Sequence, residues 1–121
     1  MTDSEPDEKN AAERKRGELA GRVLVTNDLV RYQEGTIASR MIVFKKAGTI
    51  TLFAFDEGEG LSEHSAPYDA ILTVTEGEAE ISLEGVSSTV EAGEMIILPA
   101  NRPHAVMAKK RFKMTLTMIR E

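Results

Sequence analysis

The chain of 121 residues contains no cysteine and no tryptophan, and aromatic residues make up only 5% of it. The absence of cysteine excludes disulfide bonds, zinc–thiolate sites and thiol nucleophiles. With so few aromatic residues, the core must be built mainly from Val, Ile, Leu, Met and Ala. No stretch approaches the ~18 apolar residues of a membrane span, and no signal-peptide pattern occurs near the start. We therefore expect a cytoplasmic protein without a membrane partner.

Basic residues are outnumbered by acidic ones, with 15 Lys and Arg against 20 Asp and Glu. The formal net charge is −5, and the acidic residues are scattered along the chain. One basic cluster, Lys109-Lys110-Arg111, lies between two apolar runs, which is typical of a solvated turn. Because contacts to phosphate groups need clustered Lys and Arg, we expect no nucleic-acid partner.

The first part of the chain, residues 1–20, is rich in charge and has almost no large apolar side chains. Such a segment cannot bury enough surface to offset the entropy that is lost on ordering. We interpret residues 1–20 as a disordered or marginally helical segment. Residues 21–121 are interpreted as one domain, because this length leaves no room for a second core.

Short apolar runs separated by Gly or Pro turns make up the rest of the chain. The turn residues recur about every eight to twelve positions, which is typical of an all-β sandwich or barrel. The predicted strands cover residues 22–26, 39–44, 49–55, 70–75, 79–83, 88–91, 95–98, 104–107 and 111–119.

One predicted strand is apolar on both of its faces. Ile50, Leu52 and Ala54 form one face. Phe53 and Phe55 form the other. A strand with one solvent-facing side should alternate apolar and polar residues more cleanly. We therefore expect a second contact outside the barrel, and a homodimer is its simplest source.

The only two histidines, His64 and His104, each occur in a glycine-containing pattern. The patterns are Gly58-x5-His64-x-Ala66-x3-Ala70-x6-Gly77 and Gly93-x5-Pro99-x-Asn101-x2-His104. Their spacing resembles the two motifs of the cupin family. The resemblance implies an all-β fold, the cupin double-stranded β-helix or jelly-roll-like barrel. It also implies a divalent metal ion, which three histidines and a glutamate usually hold in the family.

The chain departs from the family pattern at three positions. Ala66 stands at the second histidine position and Ala70 at the glutamate position, so two metal ligands are missing. Asn101 stands where the family usually has Gly, and Asn tolerates a left-handed backbone better than most residues do. The resemblance therefore predicts the fold more firmly than it predicts metal chemistry.

The resemblance places positions 64, 66 and 70 inside the barrel, with His104 on a facing strand. We expect the two imidazoles to lie within reach of each other and to anchor a small molecule without an obligate metal. An anion or a carbonyl compound would suit them. The predicted pocket consists of His64, His104, Ala66, Ala70, Met114 and Met118.

Two other functions stay open. The first is a metal-dependent cupin enzyme of the dioxygenase or isomerase type, in which His64 and His104 hold a divalent metal ion. Glu59 could complete that site, because it lies between two glycines in a predicted loop. The second is a structural or partner-binding module with an inert core. The sequence identifies neither a catalytic residue nor the ligand.

Overall fold

The structure is a computed structural model, and it describes residues 19–121. The predicted disordered or helical segment, residues 1–20, lies almost entirely outside the described residues. A short 3-10 turn, Thr26–Leu29, precedes the first strand. Within residues 19–121, no helix has the length and apolar character needed to cross a membrane.

The described residues form two antiparallel sheets. The strands are β1 (Ile37–Lys45), β2 (Gly48–Phe55), β3 (Gly60–His64), β4 (Asp69–Glu76), β5 (Glu78–Leu83), β6 (Val86–Glu91), β7 (Met95–Leu98), β8 (His104–Met107) and β9 (Phe112–Ile119). The five-stranded sheet has the order β1-β2-β9-β4-β7, and the four-stranded sheet has the order β3-β8-β5-β6. The predicted all-β barrel is therefore confirmed.

Two strand predictions were wrong. Residues 22–26 form no strand, because Val23 and Val25 are exposed and no neighbouring strand pairs with them. The preference of Val for strands has no effect without such a partner. Conversely, β3 was missed, since GLSEH lacks apolar alternation, yet it pairs with β8 at the edge of its sheet.

The main core lies between the two sheets. Phe55 and Phe112 stack at its centre, with ring centroids 4.5 Å apart. Fully burying one such side chain contributes about 1.5–3 kcal/mol. The other large side chains that are buried there come from both sheets: Leu72, Val74, Ile81, Leu98 and Met114.

The outer face of β2 is covered by the chain itself. Leu52 and Ala54 are buried against Val30, and Leu29 and Tyr32 pack beside them. The expectation that this face needs a second subunit was therefore wrong for Leu52 and Ala54. We call residues 26–36, which provide this cover, the N-terminal strap.

Polar contacts fasten the N-terminal strap to one end of β9. Lys113 donates its Nζ proton to the carbonyl oxygen of Asn27 at 2.6 Å. The Asn27 side-chain amide donates to the carbonyl oxygen of Thr75 at 3.1 Å. The Tyr32 hydroxyl donates to the Glu76 carboxylate, and burial together with this bond raises the pKa of Tyr32.

Asp56 anchors the same end of the barrel. Its carboxylate accepts hydrogen bonds from the Gly35 backbone N–H at 2.7 Å and from Arg111 Nε at 2.7 Å. These two donors lower the pKa of Asp56 to about 2. The Arg111 guanidinium also lies 5.2 Å from the centroid of the Tyr32 ring. We call this end of the barrel, with its paired charges, the strapped end.

Candidate functional site

His64 and His104 lie side by side near the opposite end of the barrel. β3 and β8 are hydrogen-bonded neighbours, and their register pairs His64 directly with His104. The ring centroids are 4.5 Å apart and the ring planes cross at 68°. The prediction that the rings lie within reach of each other is confirmed, whereas the expected position inside the barrel does not hold for His64, which is exposed. The two strands are neighbours in one sheet, however, and do not face each other across the barrel as expected.

Backbone carbonyl groups set the orientation of both rings. His64 Nδ1 lies 2.8 Å from the carbonyl oxygen of Ser62, and His104 Nδ1 lies 3.2 Å from that of Arg102. Because a carbonyl oxygen can only accept, each Nδ1 must carry a proton and donate it. In the neutral ring, Nε2 then has a lone pair and acts as an acceptor.

The two rings differ in their exposure. His64 is exposed, whereas His104 is only 7% exposed. Burial lowers the pKa of His104, and the nearby His64 adds to this effect, while the bond to the Arg102 carbonyl opposes it. The His104 ring therefore favours the neutral form, with its Nε2 as an acceptor.

Two loops lie beside the histidines at this end of the barrel. The loop before β4 and the loop before β8 are joined by the Asn101 N–H, which donates to the carbonyl oxygen of Ala66 at 2.7 Å. The Ala100 N–H donates to the Asp69 carboxylate at 2.8 Å. Asn101 adopts the predicted left-handed backbone, with a φ of 65°. We call this region of His64, His104 and the two loops the open end.

The other predicted pocket residues lie at two depths. Ala70 is buried, and its register partners on the neighbouring strands are Met118 and Leu98. Met114 is paired with Val74 deeper in the barrel and is part of the closed core. Ala70 and Met118 are therefore nearer to the open end than Met114 is.

The side chains at the open end do not fit a three-ligand metal centre. Within residues 19–121, no group of three or more His, Asp or Glu side chains is arranged to hold a metal ion. Ala66 and Ala70 offer no donor atoms. Glu59 precedes His64 by five residues, which corresponds to roughly 16 Å along an extended strand. The structure thus does not bring Glu59 to the two histidines.

Three interior-facing residues near the open end were missed by the sequence reasoning. The guanidinium carbon of Arg120 lies 5.7 Å from the ring centroid of Phe44 and 5.8 Å from that of Tyr68. The signal was present in the alternation of Met114, Leu116 and Met118, which continues to Arg120. We call Phe44, Tyr68 and Arg120 the arginine clamp.

A groove of about 480 Å³ lies on the outer face of the four-stranded sheet. Its base is formed by small side chains, and Met107 and the ion pair between Lys109 and Glu80 border it. The small residues are Gly60, Ser62, Ser82, Ser87 and Ala105. The groove does not include either histidine.

Comparison with known proteins identifies the fold and one family. A family model described as "Cupin domain" matches residues 51–120. No curated protein matches the chain. Among solved structures, a conserved protein of unknown function from Streptococcus pyogenes has a TM-score of 0.79 and 33% identity. That match covers 84% of this chain and 89% of the other.

Two further structures extend the comparison. A Cupin 2 conserved barrel domain protein from Leptotrichia buccalis has a TM-score of 0.75 and 41% identity, over 77% of this chain and 45% of that one. Salicylate 1,2-dioxygenase from Pseudoaminobacter salicylatoxidans, in complex with gentisate, has a TM-score of 0.65 and 16% identity. That match covers 69% of this chain and 25% of the enzyme, so it shows a shared fold alone.

Proposed function

Because this chain belongs to the cupin family, we propose that it binds a small organic molecule at the open end of its barrel. His64 and His104 are the polar anchors, and no metal ion is obligatory. The observation that carries this proposal is the pair of adjacent imidazoles whose Nδ1 protons are already donated to backbone carbonyls. Their Nε2 atoms are left to accept hydrogen bonds from a ligand hydroxyl or N–H group.

The surroundings of the histidines support a small organic ligand. Sites for such molecules combine mainly apolar walls with a few converging polar groups. Ala66 and Ala70 provide short apolar side chains at positions where the family has metal ligands, and Met118, the register partner of Ala70, adds a further apolar side chain. The ligand therefore needs a hydrogen-bond donor for the histidines and an apolar part for these walls.

Nuclear magnetic resonance of the imidazole Cε1–H signals tests the proposal. Small alcohols and phenols that bind should shift the signals of both His64 and His104. The variant His64→Phe should weaken this binding by about 5- to 100-fold, because the ligand donor loses its acceptor. Binding that is equally tight in this variant would contradict the proposal.

The metal-dependent enzyme is the second candidate. It is favoured by the Nδ1 bonds, because histidines that ligate metals commonly donate their other ring N–H to a carbonyl group. Metal analysis of protein purified without chelator separates the two candidates. We expect no stoichiometric iron, manganese, nickel or zinc. A stoichiometric metal that is lost in His64→Phe would favour the enzyme.

We also propose that the protein forms a homodimer through the outer face of the five-stranded sheet. One row of residues in register crosses all five strands on this face and carries no charge: Val43, Ile50, Thr117, Ile71 and Ile97. Ile97, at one end of this row, is 58% exposed. Packing of two such faces would remove this apolar row from water.

Light scattering coupled to size-exclusion chromatography tests the dimer. Ile97→Glu should shift the protein toward the monomer. Val86→Glu should leave the dimer intact, because Val86 is also exposed but lies on the edge strand of the other sheet. A monomeric parent protein at micromolar concentration would contradict the proposal.

A further inference from the structure

The arginine clamp positions the Arg120 guanidinium but provides no negative charge to pair with it. Phe44 and Tyr68 both lie within 6 Å of the Arg120 guanidinium carbon, so two aromatic rings restrict its position. Arg120 Nε is buried and has no hydrogen-bond partner. Among residues 19–121, no carboxylate forms an ion pair with Arg120. Buried polar groups usually have partners, so an unpaired guanidinium N–H needs an explanation.

Strand register places the arginine clamp next to the proposed binding site. Met118 is the interior-facing partner of Ala70 in neighbouring strands. Tyr68 and Arg120 each lie two residues beyond this pair, which is about 7 Å further toward the open end. The loop that contains Tyr68 begins at His64. The loop that precedes His104 is hydrogen-bonded to the loop that contains Tyr68, through the Asn101 N–H and the Ala66 carbonyl oxygen. Arg120 therefore lies at the same end of the barrel as the histidines.

This end of the barrel thus has two kinds of polar group, one on each of its two sheets. The histidines on the four-stranded sheet offer Nε2 acceptors, and the arginine on the five-stranded sheet offers N–H donors and a positive charge. Packed sheets lie about 10 Å apart, so one small molecule can reach both sides.

We propose that Arg120 is an anion subsite and that the ligand is a small hydroxy acid. Its carboxylate accepts hydrogen bonds from the Arg120 guanidinium, and its hydroxyl group donates to the histidines. This inference rests on the proposed function and names the ligand class for the same site. A carboxylate is favoured over a phosphate because the single charge of one unpaired guanidinium matches the single charge of a carboxylate, whereas a phosphate monoester carries about −1.5 to −2. Arg120 acts as a binding residue here.

A pair of matched probes tests the subsite. Mandelate carries a hydroxyl group, a phenyl ring and a carboxylate. In 1-phenylethane-1,2-diol a hydroxymethyl group replaces the carboxylate. Calorimetric titration should show that the parent protein binds mandelate at least about tenfold more tightly than the diol, because charge-assisted hydrogen bonds exceed neutral ones by this much.

Arg120→Gln should remove this preference, so that both probes bind with similar affinity. Arg120→Lys keeps the charge but loses the planar fork, and it should retain only part of the preference. Arg111→Gln is the matched control, since Arg111 also lies over an aromatic ring but is paired with Asp56. It should keep the full preference. Should Arg120→Gln fail to fold, Arg120→Lys can be compared with the parent instead, and its preference for mandelate should be reduced.

The outcomes separate this inference from the proposed function. A preference for mandelate that stays undiminished in both Arg120 variants overturns the subsite and leaves the histidine site standing. Displacement of mandelate by an equal concentration of inorganic phosphate overturns the assignment of a carboxylate. If neither probe shifts the signals of His64 and His104, both the subsite and the proposed function fail.

Discussion

An arginine flanks each end of strand β9, and the two arginines have contrasting surroundings. Arg111 contacts the ring of Tyr32 and forms an ion pair with Asp56. Arg120 contacts the rings of Phe44 and Tyr68, and no carboxylate of the described chain forms an ion pair with it. Both guanidinium groups are placed by aromatic rings, so the difference lies in how their hydrogen bonds are used.

Neighbouring residues repeat this contrast. At the strapped end, Lys113, Asn27 and Tyr32 each donate to a carbonyl or carboxylate oxygen of the chain. At the open end, His64 and His104 each have an Nε2 acceptor for which residues 19–121 provide no hydrogen-bond donor. Most polar groups of the strapped end therefore contribute stability, with Asn27 Oδ1 as a buried exception that has no partner. The open end retains hydrogen-bonding capacity on a cation and two imidazoles.

The largest expected effect comes from restoring the missing ligands at the open end. Ala66→His combined with Ala70→Glu should tighten nickel binding by on the order of a hundredfold or more, since even outer-shell partners of metal sites are worth about 10–100-fold. Packing larger side chains at a buried position should cost about 1–3 kcal/mol of stability.

Calorimetric titration of the double variant with nickel measures this effect. Ala92→His is the control, because it adds an imidazole at an exposed turn away from the barrel interior. A folded double variant that binds nickel no better than the parent would show that these alanines do not occupy vacant ligand positions.

Removing one cation from each end should affect stability unequally. Lys113→Met loses the hydrogen bond to the Asn27 carbonyl and should lower the free energy of unfolding by about 1.5–3 kcal/mol. Arg120→Met loses the contacts with two aromatic rings, worth about 0.5–2 kcal/mol. It also removes a buried N–H that has no partner, which offsets part of that loss, so the net loss should be smaller. Urea unfolding measures both, with Lys110→Met as the exposed control. An equal loss at the two ends would refute the contrast.

A smaller effect is expected from acid at the strapped end. The Gly35 N–H and Arg111 lower the folded-state pKa of Asp56 from 3.8 to about 2. The folded protein thus binds this proton less readily than the unfolded chain does. The stabilisation should be complete above pH 3.8 and should be lost as the pH falls toward 2.

Urea unfolding of the parent and of Asp56→Asn across this pH range measures the contribution. The two unfolding midpoints should converge as the pH falls, because the parent carboxyl group becomes neutral. Curves that stay parallel down to pH 2 would show that Asp56 does not carry this pH dependence.

The sequence predicted most of the fold because the barrel depends on local patterns. Apolar runs and Gly turns identified every strand except β3, whose pairing with β8 is a long-range contact. The strand predicted over residues 22–26 failed for the opposite reason, because suitable side chains had no partner there. The cover on Leu52 and Ala54 also came from a distant part of the chain, the N-terminal strap.

The candidate site was predictable in its composition but not in its hydrogen bonds. Motif spacing predicted that His64 and His104 lie close together, and the structure confirms this. No sequence pattern indicated which nitrogen of each ring would bond to the backbone. Arg120 was missed because a cation after an apolar strand is ordinarily read as a solvated end. Its two aromatic contacts depend on how three separate segments meet.

The position of β9 has a consequence for synthesis of the protein on the ribosome. β9 lies between β2 and β4 in the five-stranded sheet, although it is the last strand along the described chain. Until it has been synthesised, β1 and β2 have no bonded neighbour that links them to β4 and β7. The facing edges of β2 and β4 therefore stay unpaired until the end of synthesis, and unpaired strand edges are sites where chains aggregate.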